Sequence, residues 1–161
     1  MTSGEELKEL MQRYPAGVVV VTVDLEGERL GLTVASLVSV ALEPPLVAIS
    51  IAHQAALHEL LRSAGGFAVS LLGSDQLELA QHFARGVPPI VLWQGIERRD
   101  GARGPLLDGA LGWLECELAG EHETGDHTLF VGRVERVEPG SPGTPLVRLG
   151  GDYRALSTQP A

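Results

Sequence analysis

The run Gly17-Val-Val-Val-Val-Thr-Val23 constrains this chain more than any other stretch. Val18 to Val23 are all β-branched, which crowds a helix and suits a pleated surface. A continuous apolar run, as opposed to an alternating one, is the mark of a buried strand. Further strand-like segments follow it. "GLTVASLVSVALEPPLVAISI" (31–51) reads as two strands joined by a turn at Glu43-Pro44-Pro45, after a polar turn at 24–29. "FAVSLL" (67–72), 111–123 and 127–138 read as single strands, with Gly132 marking a bulge, and 145–156 reads as one more. The helices are short. Ser3 and Glu6 form a capping box opening a helix with the apolar stripe Leu7, Leu10, Met11 and Tyr14, and Pro15 stops it. A second helix (55–66) ends at Gly65-Gly66. A third, capped by Asp75 and Glu78, runs to Arg85 and buries Leu79, Ala80 and Phe83. Residues 86–109, rich in Gly, Pro and Arg, read as an extended loop carrying Trp93. Six or seven strands with short helices imply a mainly β fold, an antiparallel barrel with helices outside, in one domain over 1–161.

Several function classes drop out. The formal charge is −9 and Lys8 is the only lysine, which argues against nucleic acid or an anionic membrane as partner. No apolar run is long enough to span a bilayer and the first ten residues are polar, so the expected location is cytoplasmic. Cys116 stands alone, which excludes an internal disulfide and a cysteine metal cage; its strand-like setting reads as a buried, inert thiol. His53, His58, His82, His122 and His127 form no compact ligand set, and no metal is expected. There is no Gly-x-Gly, no Walker loop, no His-Glu-x-x-His and no Gly-x-Ser-x-Gly.

Three features point to a ligand. Thr33, Ala35, Ser36, Leu37, Val38 and Ser39 combine small and hydroxyl side chains, and such an edge lets a flat ring approach the main chain closely; the alternative is a core strand whose hydroxyls bond to neighbouring backbone. The strand ending at Ala52 runs straight into a helix through His53, Gln54, Ala55 and Ala56, and free N–H groups at that helix start attract a phosphate. Arg85 is either the matching cation or a solvated charge at a helix C-terminus. Gly125-Asp126-His127 delivers a histidine at the mouth of a strand, for a ligand or for the turn itself.

Taken in order, "YPAGVVVVTV", "GLTVASLVSVALEPPLVAISI", "GGFAVSLL", "LAQHFA", "LECEL", "GDHTLFVGRV" and "PLVRLGGDYRAL" resemble the flavin reductase family over nearly the whole chain. The resemblance implies an antiparallel Greek-key split β-barrel that binds FMN, with FAD as the other candidate flavin and NADH or NADPH as co-substrate. It implies a homodimer, and a large flavin-dependent monooxygenase component as partner. Ala35 to Ser39 would line the flavin ring and Ala52 to Ala56 would hold its phosphate. Phe83 and Arg85 would close over it, His127 would act catalytically beside the nicotinamide, and Tyr153 would wall the site or the dimer interface. Members often place Ser, Thr or Lys in the phosphate loop, where this chain has "AHQAAL"; that departure implies either flavin held loosely, as a substrate, or a phosphate held by backbone, His53, Gln54 and Arg85.

Overall fold

The structure, a computed structural model, describes residues 1–157 and 159–160. Its main sheet has seven strands, every neighbouring pair antiparallel. These are β2 (Val19–Leu25), β3 (Glu28–Val34), β4 (Val38–Leu42), β5 (Pro45–Ala52), β6 (Gly66–Leu71), β9 (Gly112–Thr124) and β10 (His127–Pro139). They lie in the order β3-β2-β6-β9-β10-β5-β4, so both edges of the sheet, β3 and β4, are consecutive in the chain. Flat strands at about 4.8 Å spacing would put those edges roughly 29 Å apart. The chain from Val34 to Val38 can reach at most about 14 Å. The sheet therefore rolls up, and its edges face each other across a slit spanned by residues 35–37.

The valine run is the wall that this geometry covers twice. Val19, Val20, Val21 and Val23 are all at most 3% exposed. One side of β2 faces the barrel core with Phe67, Ile49 and Phe130. Helices α2 (Ala56–Ala64) and α3 (Leu77–Ala84) pack against β2 and β3 from outside. Thr22 sits in the run without penalty because its hydroxyl donates to Pro105 O at 2.7 Å. A smaller sheet joins β1 (Ala16–Gly17), β11 (Leu146–Leu149) and β12 (Asp152–Ala155), and β7 (Arg98–Asp100) pairs with β8 (Pro105–Leu107).

Several expectations need correction. Ala35 to Leu37 is not strand; only Val38 and Ser39 of the predicted ring-lining edge belong to β4. Helix α1 (Gly4–Met11) carries the expected capping box but ends before Tyr14, and its apolar stripe is exposed. Asp75 does not cap α3. Gln76 occupies that place, its side chain accepting from Gly73 N and donating to Asp108 O. Residues 86–109 hold a short helix, α4 (Pro89–Leu92), and the β7–β8 pair. Segment 145–156 is a hairpin, turning at Gly150-Gly151, both with positive φ. Cys116 is fully buried, as expected, and burial pushes its thiol up to about 12. No described helix is long and apolar enough to cross a membrane.

The register break at Gly132, where Ala119 on β9 is the extra residue, accompanies a packing demand. The register between β10 and β9 slips between Val131 and Gly132. A methyl group at 132 would stand 2.6 Å from the Phe67 ring and 2.8 Å from Cys116 Cβ. Gly132→Ala should destabilise the fold by about 1–3 kcal/mol through overpacking. Urea unfolding midpoints measure this; an unchanged midpoint would contradict the packing described.

Candidate functional site

The slit between the sheet edges is where the hydroxyl-rich segment lies. Ser36 Oγ donates to Ser50 O and accepts from Ser50 N–H, both at 3.0 Å, tying the crossing to β5. Thr33 Oγ1 donates to Ala80 O at 2.7 Å, tying β3 to α3. These two hydroxyls thus bond to neighbouring backbone, the structural alternative that the sequence left open. The short side chains beside them still leave a cleft of about 480 Å³, lined by residues 32–36 and 50–52 with Gln54, Ala55 and His127.

One end of this cleft is the turn into α2. Ala55 is its N-cap and offers no side-chain cap. The N–H groups of Gln54, Ala56 and Leu57 have no acceptor among the described residues. Donors left free at a helix start make an anion site. His53 does not contribute as expected: its N–H donates to Asp126 O at 3.0 Å, and its Nε2 lies 2.8 Å from a Glu123 carboxylate oxygen. Behind it, buried His58 pairs through Nε2 with Thr128 Oγ1 (2.8 Å) and through Nδ1 with Glu59 (3.0 Å). Thr128 Oγ1 also donates to Glu123 at 3.2 Å. Arg62 pairs with Glu59, Glu121 and Glu123 together. Histidine and carboxylates here hold the turn in place and leave the backbone to face the cleft.

His127 stands on the lip beside this turn. Pairing of β10 with β5 sets it across from Ala52. Its Nδ1 is 2.7 Å from an Asp126 carboxylate oxygen, and that bond holds Asp126 below the ordinary carboxylate range. Nε2 has no protein partner among the described residues, and the ring is half-exposed.

The remaining predicted residues scatter. Phe83 is 2% exposed, packed on Trp93 and against Gly31, so it is a fixed wall and not a closing lid. It lines a second cleft of about 380 Å³ that shares Leu32, Gln54 and Ala55 with the first and also includes Ala56. Arg85 ends α3, exposed, without an ion-pair partner among the described residues. Leu37 and Val38 line an adjoining groove, of about 590 Å³, that shares Ala35 and Ser36 with the first cleft and adds Met11, Tyr14 and Arg148. Ser39 is exposed and pairs with Val47. Tyr153 lies in a separate depression under the Arg148 guanidinium, 4.7 Å from its ring centre. Among the described residues no three His, Cys, Asp or Glu side chains are arranged to hold a metal. Sequence reasoning missed Leu32, Val34, Ser50 and Ile51, and the Val87-Pro88-Pro89 wall, because nothing in these residue types distinguishes a cleft lining from a core.

The family model for the flavin reductase like domain matches residues 11–157. The reductase component of 4-hydroxyphenylacetate 3-monooxygenase from Thermus thermophilus is 41% identical over 152 residues, covering 94% of this chain and 96% of that protein. The NADH-dependent flavin reductase of a Rhodococcus species is 37% identical, covering 93% and 85%. Among solved structures, the Streptomyces globisporus NADH:FAD oxidoreductase SgcE6 superposes with a TM-score of 0.91 at 33% identity, covering 98% of this chain and 97% of that one. The flavin reductase PheA2 superposes with a TM-score of 0.88 at 29% identity, covering 98% and 100%. The observed architecture is accordingly the split barrel of the flavin reductases.

Ser36→Ala removes both ties between the crossing and β5. We expect a stability loss of about 1–3 kcal/mol, two bonds at about 0.5–1.5 each. Thermal or urea unfolding reads this out, and a loss below the error of measurement would show that the ties do not hold the crossing.

Proposed function

The chain belongs to the flavin reductase like domain family, and on that premise we propose that it transfers hydride from a nicotinamide dinucleotide to a flavin seated in the slit. A single observation carries the reading. One cleft has slender backbone on its walls and brings together the unpaired Gln54 amide and a histidine with a free ring nitrogen, while the unpaired amides of Ala56 and Leu57 line the adjoining cleft. A flat ring with an anionic tail fits that arrangement, and a bound flavin would supply the hydride-accepting chemistry.

The chain's own residues position and exclude. The amides of Gln54, Ala56 and Leu57 would receive the flavin phosphate, aided by the helix dipole of α2. No hydroxyl or lysine reinforces them, which supports flavin as an exchanging substrate. In the tautomer that donates Nδ1–H to Asp126, His127 would present Nε2 as an acceptor, suited to the carboxamide N–H of a nicotinamide. Its role is to orient the donor, since reaction requires near-attack geometry. The three loop arginines that could read a 2′-phosphate are engaged: Arg98 with Trp93 O and Ile96 O, Arg99 with Glu138, and Arg103 with Glu135. This supports NADH as the donor.

We further propose a homodimer. Leu7, Leu10 and Met11 on α1, Tyr14 after it, and Val38, Val40 and Leu42 on the edge strand β4 expose an apolar surface that a second copy would cover. By likeness to the Thermus reductase component, reduced flavin would pass to a monooxygenase partner.

Steady-state NADH oxidation with excess flavin tests the activity. His127→Ala should lower kcat by roughly 10- to 100-fold through lost orientation, while the flavin Kd stays within about twofold. No turnover by the wild-type chain, or equal losses in rate and flavin affinity, would overturn this reading.

A further inference from the structure

We propose that the buried His58 ring carries two N–H groups and a positive charge, and that this charge supports an anionic flavin tail and makes flavin binding depend on pH. The proposal rests on the flavin reading above and adds to it a residue and a form of regulation.

The charge follows from the donors and acceptors around the ring. His58 is 3% exposed and Thr128 is fully buried. Thr128 Oγ1 lies 2.8 Å from His58 Nε2 and 3.2 Å from Glu123 Oε1. A carboxylate only accepts, so the one hydroxyl hydrogen goes to Glu123 and Nε2 must bring a hydrogen of its own. On the other side of the ring, Nδ1 faces Glu59 Oε1 at 3.0 Å, and that carboxylate also needs a donor. The three contacts need three hydrogens, and a neutral ring with the hydroxyl supplies only two. An imidazolium supplies the third.

The surroundings suit a cation. Glu59 and Arg62 lie on α2, Glu121 and Glu123 on β9, and His53 in the turn, its ring centre 5.3 Å from that of His58. Arg62 faces all three glutamates, so a further cation reduces the excess of negative charge. From β10 come Thr128 and the Phe130 ring, 5.2 Å away. Next to Thr128, Asp126 and His127 pair with each other. The other strands that α2 packs on, β2, β3 and β6, carry Asp24, Glu28 and Arg29 as their ionisable side chains. These stand at the hairpin end of β2 and β3, where Asp24 pairs with Arg29.

For the fold alone this cation is badly placed. It sits in the first turn of α2, where the helix dipole opposes positive charge, and its burial adds a desolvation cost. An anion at the unpaired amides of Gln54, Ala56 and Leu57 would reverse the balance. His58 follows Leu57 directly, and its own N–H is committed to Ala55 O at 3.0 Å, so what it offers the anion is ring charge. The phosphate and the His58 proton then stabilise each other, and by linkage each is held more tightly when the other is bound. Flavin affinity therefore falls as rising pH removes that proton.

Equilibrium dialysis of the full-length chain with FMN and with riboflavin, which lacks the phosphate, tests this between about pH 7 and about pH 9, where the phosphate stays doubly charged. FMN affinity should fall roughly three- to tenfold over that range, and riboflavin affinity by less than about twofold. Nitrogen NMR of histidine-labelled protein should show two protonated ring nitrogens on His58 at about pH 7, with FMN, but not riboflavin, holding the proton to higher pH. His58→Gln should weaken FMN binding and remove its pH dependence, although His53 and His127 are still present. The NMR and the riboflavin comparison use the unaltered chain, so they decide the matter even if the variant misfolds. A bare ring nitrogen on His58 at about pH 7, a pH dependence that survives in His58→Gln, or FMN and riboflavin responding alike to pH would overturn the proposal. Absence of binding by both flavins would instead overturn the flavin reading beneath it, and the NMR spectrum would still report the His58 charge.

Discussion

Three residues, 35–37, carry the chain from one edge of a seven-stranded sheet to the other. A crossing this short is a length constraint that only a rolled sheet satisfies. It also stops the barrel from sealing, because the crossing residues occupy the place where β3 and β4 would otherwise exchange ladder bonds. The Ser36 hydroxyl instead continues the β4–β5 pairing past Val38, bonding both the N–H and the C=O of Ser50. The slit is thus a consequence of connectivity, and small side chains at 35 and 36 keep it from filling. Closure elsewhere protects the sheet's edges and buries the valine strand on both faces.

Electrostatics around the slit follow a consistent division of labour. The chain is acidic, and Glu121, Glu123 and Asp126 stand near a place proposed to receive an anion. Each has a partner: Arg62 for the first two, His53 also for Glu123, and His127 for Asp126. Exposed pairs of this kind contribute little to stability singly. Their effect here is positional, since they anchor the 52–56 turn to β9 and β10 and leave its amides unpaired toward the cleft. Buried His58 and Thr128 continue the same anchoring inward, where an unmet hydrogen bond would be costly.

Much of this was legible in the amino-acid order, for identifiable reasons. The Val18–Val23 run announces a strand covered twice because β-branched continuity has few other outcomes. Ser3 with Glu6, and Gly65 with Gly66, mark helix ends through bonds that those residues alone make. The register break at Gly132 was readable as a break in alternation, but its extra residue, Ala119, lies on β9 and was not. What escaped depends on contacts distant in sequence. Ser36 reads as part of a strand until Ser50 is placed beside it. His53 looks like a phosphate donor until β9 brings Glu123 to its ring. Asp75 loses the cap of α3 to Gln76, whose side chain reaches Asp108. Val87-Pro88-Pro89 looks like a connector, and its role as a wall exists only against Leu32 and Phe83.

The central claim is that the crossing at 35–37 seats a planar ring whose anionic tail ends at the start of α2. A crystal structure of the protein grown with saturating flavin measures this directly. The account predicts ring density between residues 33–36 and 50–52, with phosphate density within hydrogen-bonding distance of the Gln54, Ala56 and Leu57 amides. Flavin density in the groove beside Met11 and Tyr14, or a slit closed by the chain's own side chains under those conditions, would contradict it.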